Sequence, residues 1–108
     1  MAKAIDRYTY RVTWSDEDNE YVGLCAEFPS LSWLEATPEA ALSGVRSLVR
    51  ESVADLKRRK EAVPEPISTR PFSGKFMVRV PPEIHRLLAI QAAESGISLN
   101  RLVSSKLS

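Results

Sequence analysis

The chain has 108 residues, 44% of them hydrophobic and 27% charged, and a formal net charge of +1 that by itself indicates no particular partner. Its single cysteine, Cys25, cannot form an internal disulfide and is expected to pack as a small apolar group in a reducing cytoplasm. The sequence has no charged-then-apolar leader and no apolar run long enough to span a bilayer. We therefore expect a cytoplasmic protein without membrane contact.

The N-terminal part has the pattern of a three-stranded antiparallel sheet. Aromatic residues and valine alternate with threonine and arginine across residues 8–14, which is a strong strand signal. After an acidic connection, residues 21–28 predict a second strand, and residues 31–35 predict a third, shorter one. Because the connections are short, neighbouring strands are expected to be antiparallel.

A long amphipathic helix is predicted after the sheet. Thr37 as the cap, Pro38 at the first position and Glu39 near the positive dipole end signal its start. Apolar residues follow at three- and four-residue spacing as far as Leu56. They form one apolar stripe along the helix, and we expect the helix to pack across the sheet through this stripe. The cationic cluster at residues 57–60 complements the helix C-terminus, and a contact with nucleic acid or an acidic partner is the alternative.

Prolines between residues 64 and 71 indicate a linker between two patterned regions. We therefore predict an α+β chain with a first domain at residues 1–62, a linker at residues 63–73 and a second domain at residues 74–108.

The second domain begins with a predicted strand at residues 75–80 that has two different faces. Apolar side chains alternate with mostly cationic ones, the period-2 pattern of a strand with one face for a core and one for a partner. The apolar set is Phe76, Val78 and Val80, and the outward set is Lys75, Met77 and Arg79.

Two short helices are predicted after this strand. Pro82 suits the first helical position, Gly96 marks the turn between the helices, and Ser98 is a good N-cap for the second one. A domain of fewer than roughly 40 residues usually needs a disulfide, a bound metal or a second chain to be stable. We therefore predict a homodimer whose two strands pair antiparallel over four helices, with a dimer core of Phe76, Val78, Val80, Leu87, Leu88, Leu102 and Val103.

A two-stranded ribbon of this kind fits the major groove of DNA, where arginine and lysine donate to guanine. The segment resembles the ribbon-helix-helix repressors of the Arc and MetJ type, and residues 96–100 (Gly-Ile-Ser-Leu-Asn) are similar to their inter-helix turn. The resemblance implies that the outward strand side chains contact bases of double-stranded operator DNA and that the second helix start holds a phosphate. By position, the base contacts are Lys75, Met77 and Arg79, and the phosphate contacts are Ser98, Leu99 and Asn100.

Charge divides unevenly along the chain. From Arg70 onward there are six basic residues against two acidic ones, whereas residues 1–56 hold ten acidic and five basic residues. The basic part favours phosphate contact and salt-sensitive DNA binding, with an ordinary solvated surface as the alternative. The acidic part suits a basic protein, and RNA-cleaving proteins are often basic because their substrate is acidic, a hypothesis from charge only.

Nearly the whole chain is similar to the HicB family of antitoxins. The similarity lies in residues 21–33 (Tyr-Val-Gly-Leu-Cys-Ala-Glu-Phe-Pro-Ser-Leu-Ser-Trp), residues 37–42 and residues 73–81, which place two unlike modules in the family's order. It implies a partial RNase H-like N-terminal domain that binds a HicA-like toxin, a small mRNA-cleaving protein, and covers its active site. It also implies a C-terminal domain that represses the operon encoding both proteins.

No catalytic residue, metal site or cofactor is predicted. RNase H chemistry needs carboxylates that converge on two metal ions, whereas Asp16, Glu17 and Asp18 lie in a predicted hairpin connection where solvated acids are common. His85 is expected at the surface or against a phosphate. Two alternatives stay open, a stand-alone ribbon-helix-helix regulator and a metal-dependent nuclease. Assembly beyond the dimer also stays open, because N-terminal pairing would give a tetramer.

Overall fold

The structure is a computed structural model that describes residues 3–108 and divides the chain into two compact units, Met1–Phe72 and Ser73–Ser108. The first unit contains α1 (Ala4–Arg7), β1 (Tyr10–Ser15), β2 (Glu20–Cys25), β3 (Ser32–Glu35), α2 (Pro38–Arg58) and a 3-10 turn (Ile67–Thr69). The second unit contains α3 (Pro82–Ser95) and α4 (Leu99–Leu107).

The first unit contains an antiparallel sheet in the order β1-β2-β3, which confirms the predicted sheet. The second strand ends at Cys25, three residues before its predicted end at Phe28. The chain turns there because the N–H of Phe28 donates to the carbonyl of Cys25 at 3.1 Å, and the N–H of Leu31 then donates to the carbonyl of Phe28 at 3.0 Å. This turn directs the Phe28 side chain into the core, where it is buried.

Helix α2 lies across one face of the sheet, as predicted. Its start is capped by Thr37, whose hydroxyl oxygen accepts a hydrogen bond from the N–H of Ala40 at 3.2 Å. The apolar stripe buries Ala41, Val45 and Val49. A Cβ added at Gly23 of β2 would lie 2.5 Å from the Ala41 carbonyl oxygen, so the helix can lie this close to the sheet only because Gly23 has no side chain.

The core of the first unit lies between the middle of α2 and the strand ends near Cys25. It consists of Tyr8, Cys25, Phe28, Val45 and Val49, and both valines are fully buried. The rings of Tyr8 and Phe28 meet edge to face with centroids 5.3 Å apart, an arrangement that aromatic pairs favour.

The proline-rich stretch after α2 is attached to the first unit. The hydroxyl of Tyr8 donates to the carbonyl of Pro64 at 2.7 Å, and the hydroxyl of Ser68 donates to the carbonyl of Arg7 at 2.6 Å. Pro66, between these two contacts, is buried. The first compact unit therefore extends to Phe72. The boundaries that the sequence predicts, 1–62, 63–73 and 74–108, stay predictions.

The Glu27 carboxylate connects this stretch to the sheet. It accepts hydrogen bonds from the backbone N–H of Ile67 at 2.8 Å and of Thr9 at 2.9 Å, and from the Thr9 hydroxyl at 3.2 Å. Partial burial alone would raise the pKa of Glu27, but the backbone N–H groups of Ile67 and Thr9 outweigh it, so the pKa lies below its ordinary value of 4.5. The ionised carboxylate therefore stabilises the folded unit.

In the second unit, the two predicted helices are present as α3 and α4, and they pack against each other. Gly96 adopts the left-handed conformation at φ 67°, and the Ser98 hydroxyl oxygen accepts from the N–H of Arg101 at 3.1 Å. Residues 74–80 form no strand in the single chain. A two-stranded ribbon needs a second chain to supply the hydrogen-bonding partner, so the ribbon-helix-helix fold and the dimer stay predictions.

Replacing Glu27 by Gln should lower the stability of the first unit and make that stability depend less on pH in the acidic range. Because the folded-state pKa is lowered, the stability due to Glu27 is full above about pH 4.5 and is lost as pH falls through the folded-state value. We expect Glu27→Gln to lower the free energy of unfolding at pH 7 by about 1–2 kcal/mol, since a charged acceptor is replaced by a neutral one. Urea unfolding followed by tryptophan fluorescence reports this unit, because Trp14 and Trp33 both lie in it.

The control is Glu51→Gln, which removes the same charge from an exposed position of α2. It should leave both stability and acid dependence nearly unchanged. Equal effects of the two substitutions would contradict the role given to Glu27.

Candidate functional site

The segment predicted to contact DNA bases is fully accessible. Lys75, Met77 and Arg79 are all exposed, and so are the residues between them: 77% of Phe76 and 65% of Val78 remain accessible in the single chain. The apolar and the cationic side chains of this segment are therefore both available to partners. Large apolar side chains at such exposure mark an interaction surface.

The predicted dimer core is only partly assembled within one chain. Within Ser73–Ser108 the buried residues are Ala92 and Leu102, and Leu88 and Val103 are partly buried. The remaining predicted members are exposed: Phe76, Val78, Val80 and Leu87. Three further apolar side chains of this unit, which are not among the predicted dimer-core residues, are also exposed: Ile84, Ile90 and Leu107.

The start of α4 has the geometry of an anion-binding helix terminus. Ser98 precedes the helix, and Leu99 and Asn100 are its first residues. The Ser98 hydroxyl oxygen accepts a hydrogen bond from the N–H of Arg101. Within residues 3–108, no group accepts a hydrogen bond from the N–H of Leu99 or Asn100. Backbone donors at a helix start, together with the helix dipole, attract phosphate. The phosphate contact at Ser98, Leu99 and Asn100 stays a prediction.

The acidic hairpin is a solvated turn. Asp16 and Asp18 are exposed; the Asp18 carboxylate accepts from the Ser15 hydroxyl at 2.8 Å, and Asn19 closes the turn at φ 55°. No group of three acidic, cysteine or histidine side chains in the described part of the chain has the geometry to hold a metal ion.

The two other reactive side chains occupy the positions that the sequence predicts. Cys25 is buried, and burial raises the pKa of its thiol above the ordinary value, which disfavours the nucleophilic thiolate. His85 is exposed in the first turns of α3.

Both tryptophans of the chain lie on the α2 side of the sheet and remain substantially exposed, 45% for Trp14 and 40% for Trp33. The indole N–H of Trp14 donates to the Asp16 carboxylate at 3.2 Å, and that of Trp33 donates to the Glu35 carboxylate at 3.1 Å. This arrangement was not predicted. The signal for it in the sequence is the repeated spacing of a tryptophan two residues before an acid, which places both side chains on the same face of a strand.

Residues 59–107, slightly less than half of the chain, match the family model that is described as the HicB family. The match includes α3, α4 and the segment at residues 75–80, and the sheet lies outside it. It supports HicB family membership and indicates a protein related to toxin–antitoxin systems. No curated protein and no solved structure matches the chain significantly. Among the described residues, no helix is long and apolar enough to cross a membrane.

Proposed function

We propose that this protein is the antitoxin of a type II toxin–antitoxin system. Its N-terminal domain binds and neutralises a HicA-like mRNA-cleaving toxin, and its C-terminal domain represses the operon. The observation that carries this proposal is the HicB family match over residues 59–107. The domain boundaries of the proposal are residues 1–62, 63–73 and 74–108.

The surface of the C-terminal unit supports pairing of two copies. Phe76, Val78 and Val80 alternate along a segment that is exposed in one chain and has unpaired backbone groups. A second copy pairing antiparallel supplies backbone hydrogen bonds and covers both apolar faces at once. The exposed Leu87 of α3 becomes buried in the same step. The resulting fold is a ribbon-helix-helix dimer.

The same pairing places the cationic side chains where DNA recognition needs them. Lys75, Met77 and Arg79 from both copies point away from the dimer core and enter the major groove. Arginine and lysine donate to guanine O6 and N7, and methionine contacts the thymine methyl group. The start of α4 contacts a backbone phosphate and fixes the position of the ribbon on the operator. The net positive charge from Arg70 onward doubles in the dimer and makes binding sensitive to salt.

The charge of the N-terminal unit supports a basic protein partner. Residues 1–56, which precede the cationic cluster at residues 57–60, contain ten acidic and five basic residues, so this part of the unit repels DNA and attracts a basic protein. A protein that cleaves mRNA must bind a polyanion and is often basic for that reason. An acidic domain on the antitoxin is complementary to such a surface and competes with RNA for it.

Co-expression tests the neutralisation. The chain is produced together with the product of a neighbouring short gene for a HicA-like protein, and RNA cleavage by the purified mixture is measured. We expect the two proteins to co-purify and cleavage to be abolished. Absence of binding, with operator repression retained, would favour a stand-alone ribbon-helix-helix regulator instead. That alternative is consistent with a family match that lies mainly in the DNA-binding part.

Arg79→Ala tests the base contacts. It should cost about 1–3 kcal/mol of specific operator binding and relax discrimination at one base pair per half-site, because a bidentate arginine contact is lost. Binding to operators mutated at each position, measured by fluorescence anisotropy, reports both effects. The control Lys106→Ala removes the same charge from the last turn of α4 and should weaken all sequences equally. A uniform loss for Arg79→Ala would contradict base contact.

Val78→Asp tests the dimer. An aspartate at this position would place a charge in the core between the two strands, and desolvation of that charge is severely unfavourable. We expect light scattering to show a monomer. The control is Met77→Asp, which introduces the same charge one residue away on the outward face and should leave the dimer intact. A dimeric Val78→Asp protein would show that the two faces of the strand are assigned in reverse.

A further inference from the structure

Neighbouring residues on three strands form an aromatic surface at the hairpin end of the sheet. Trp14 pairs with Tyr21 across β1 and β2, and Tyr21 pairs with Glu35 across β2 and β3. Trp33 lies two residues before Glu35 and therefore on the same side of the sheet. We call Trp14, Asp16, Tyr21, Trp33 and Glu35 the tryptophan–carboxylate surface.

The two indole rings are held in place although they are exposed. The ring of Trp14 meets that of Tyr21 edge to face, with centroids 5.1 Å apart. Trp33 lies against α2 at Gly44, where an added Cβ would come within 2.0 Å of the indole ring. A glycine at this helical position costs up to about 1 kcal/mol of helix propensity and makes room for the ring. Rigid, exposed aromatic side chains lose little conformational entropy when a partner binds.

The charge around these rings has one sign. No lysine, arginine or histidine occurs between Arg11 and Arg46, whereas this stretch contains seven acidic residues. The carboxylates of Asp16 and Glu35 each accept a hydrogen bond from an indole N–H. Within residues 3–108, no cationic side chain lies within ion-pair distance of these two carboxylates. In contrast, Asp6 and Asp55 form ion pairs with arginines.

We infer that the tryptophan–carboxylate surface is where the N-terminal unit binds an arginine- and lysine-rich face of its protein partner. An arginine or lysine stacked on an indole ring gains a cation–π contact, and its charged end reaches the carboxylate that the same indole already orients. A second copy of this chain is the less suitable occupant, because two such surfaces would bring like charges together. The inference rests on the proposed function, since it locates the contact with the toxin.

The principal test compares two double variants with equal changes of charge in the full-length chain. Asp16→Asn with Glu35→Gln removes two charges from the surface and keeps oxygen acceptors for both indoles. Glu51→Gln with Glu65→Gln removes two charges from exposed positions elsewhere in the unit. The probe is the HicA-like protein encoded beside the gene, made catalytically inactive, and the affinity is measured by calorimetry. We expect the first variant to bind about tenfold more weakly and the control to bind within about twofold of the unchanged chain.

Trp14→Leu and Trp33→Leu test the aromatic part in the same assay. Each should weaken binding by about tenfold, as exposed tryptophans at the centre of an interface commonly do. Circular dichroism confirms that the variants fold. Binding by the charge variant or by both tryptophan variants at the level of the unchanged chain would overturn the inference. A smaller particle size for the tryptophan variants in light scattering would also overturn it, because the surface would then be a contact between copies.

A second readout separates failure of this inference from failure of the proposed function. Both tryptophans lie in the surface, so their fluorescence reports events there without a toxin. A deca-arginine peptide should change the emission of the unchanged chain and of the Glu51→Gln/Glu65→Gln control. It should have little effect on the Asp16→Asn/Glu35→Gln variant, and deca-glutamate should have none.

If deca-arginine changes the tryptophan emission but the HicA-like protein does not bind, the proposed function is contradicted. The tryptophan–carboxylate surface would then still be a binding site for basic segments. Normal binding of the HicA-like protein by the charge variant, without a selective response to deca-arginine, would contradict only the surface.

Discussion

The C-terminal unit has more apolar surface than one copy of it can bury. Two short helices packed together enclose little more than Ala92 and Leu102, and Phe76, Val78 and Leu87 remain accessible. A unit of this size lacks the volume for a hydrophobic core, and within the described residues it has neither a disulfide nor a metal cluster. Burial of these side chains against a second chain is therefore the constraint on which the dimer, the ribbon and the DNA contact of the proposed function all depend.

The two parts of the chain differ in charge. Basic residues prevail from Arg70 onward, and acidic residues prevail in residues 1–56, although the whole chain is almost neutral. Under the proposed function, the basic part attracts DNA and the acidic part attracts a basic protein. The HicB family match and the proposed antitoxin function are consistent with this division.

In the first unit, contacts of two glycines and one carboxylate fix the positions of the sheet, α2 and the residues after α2. Gly23 lets α2 lie close to the sheet, and Gly44 makes room on the same helix for the ring of Trp33. The Glu27 carboxylate accepts a hydrogen bond from the N–H of Ile67 and so connects the stretch that follows α2 to the sheet. The ring of Trp33 therefore lies against α2 at Gly44, and the ring of Trp14 packs on Tyr21. Packing in the interior therefore determines which side chains the surface offers.

Local signals in the sequence were sufficient for the regular elements. The starts of α2 and α4 follow from Thr37 and Ser98, because a capping side chain bonds to backbone only a few residues away. The turn at Gly96 follows from the need for a left-handed conformation. The short α1 and the 3-10 turn were missed because elements of three or four residues show no periodicity.

The sequence by itself determined the order of strands and helices, the caps and the alternation along residues 75–80. Tertiary structure decided what depends on residues far apart in the chain. The bond from Ile67 to Glu27 and the common face of Trp14 and Trp33 arise from strand register and helix packing. No local pattern encodes these contacts, because each one forms only when two distant segments are brought together by burial of their shared apolar neighbours.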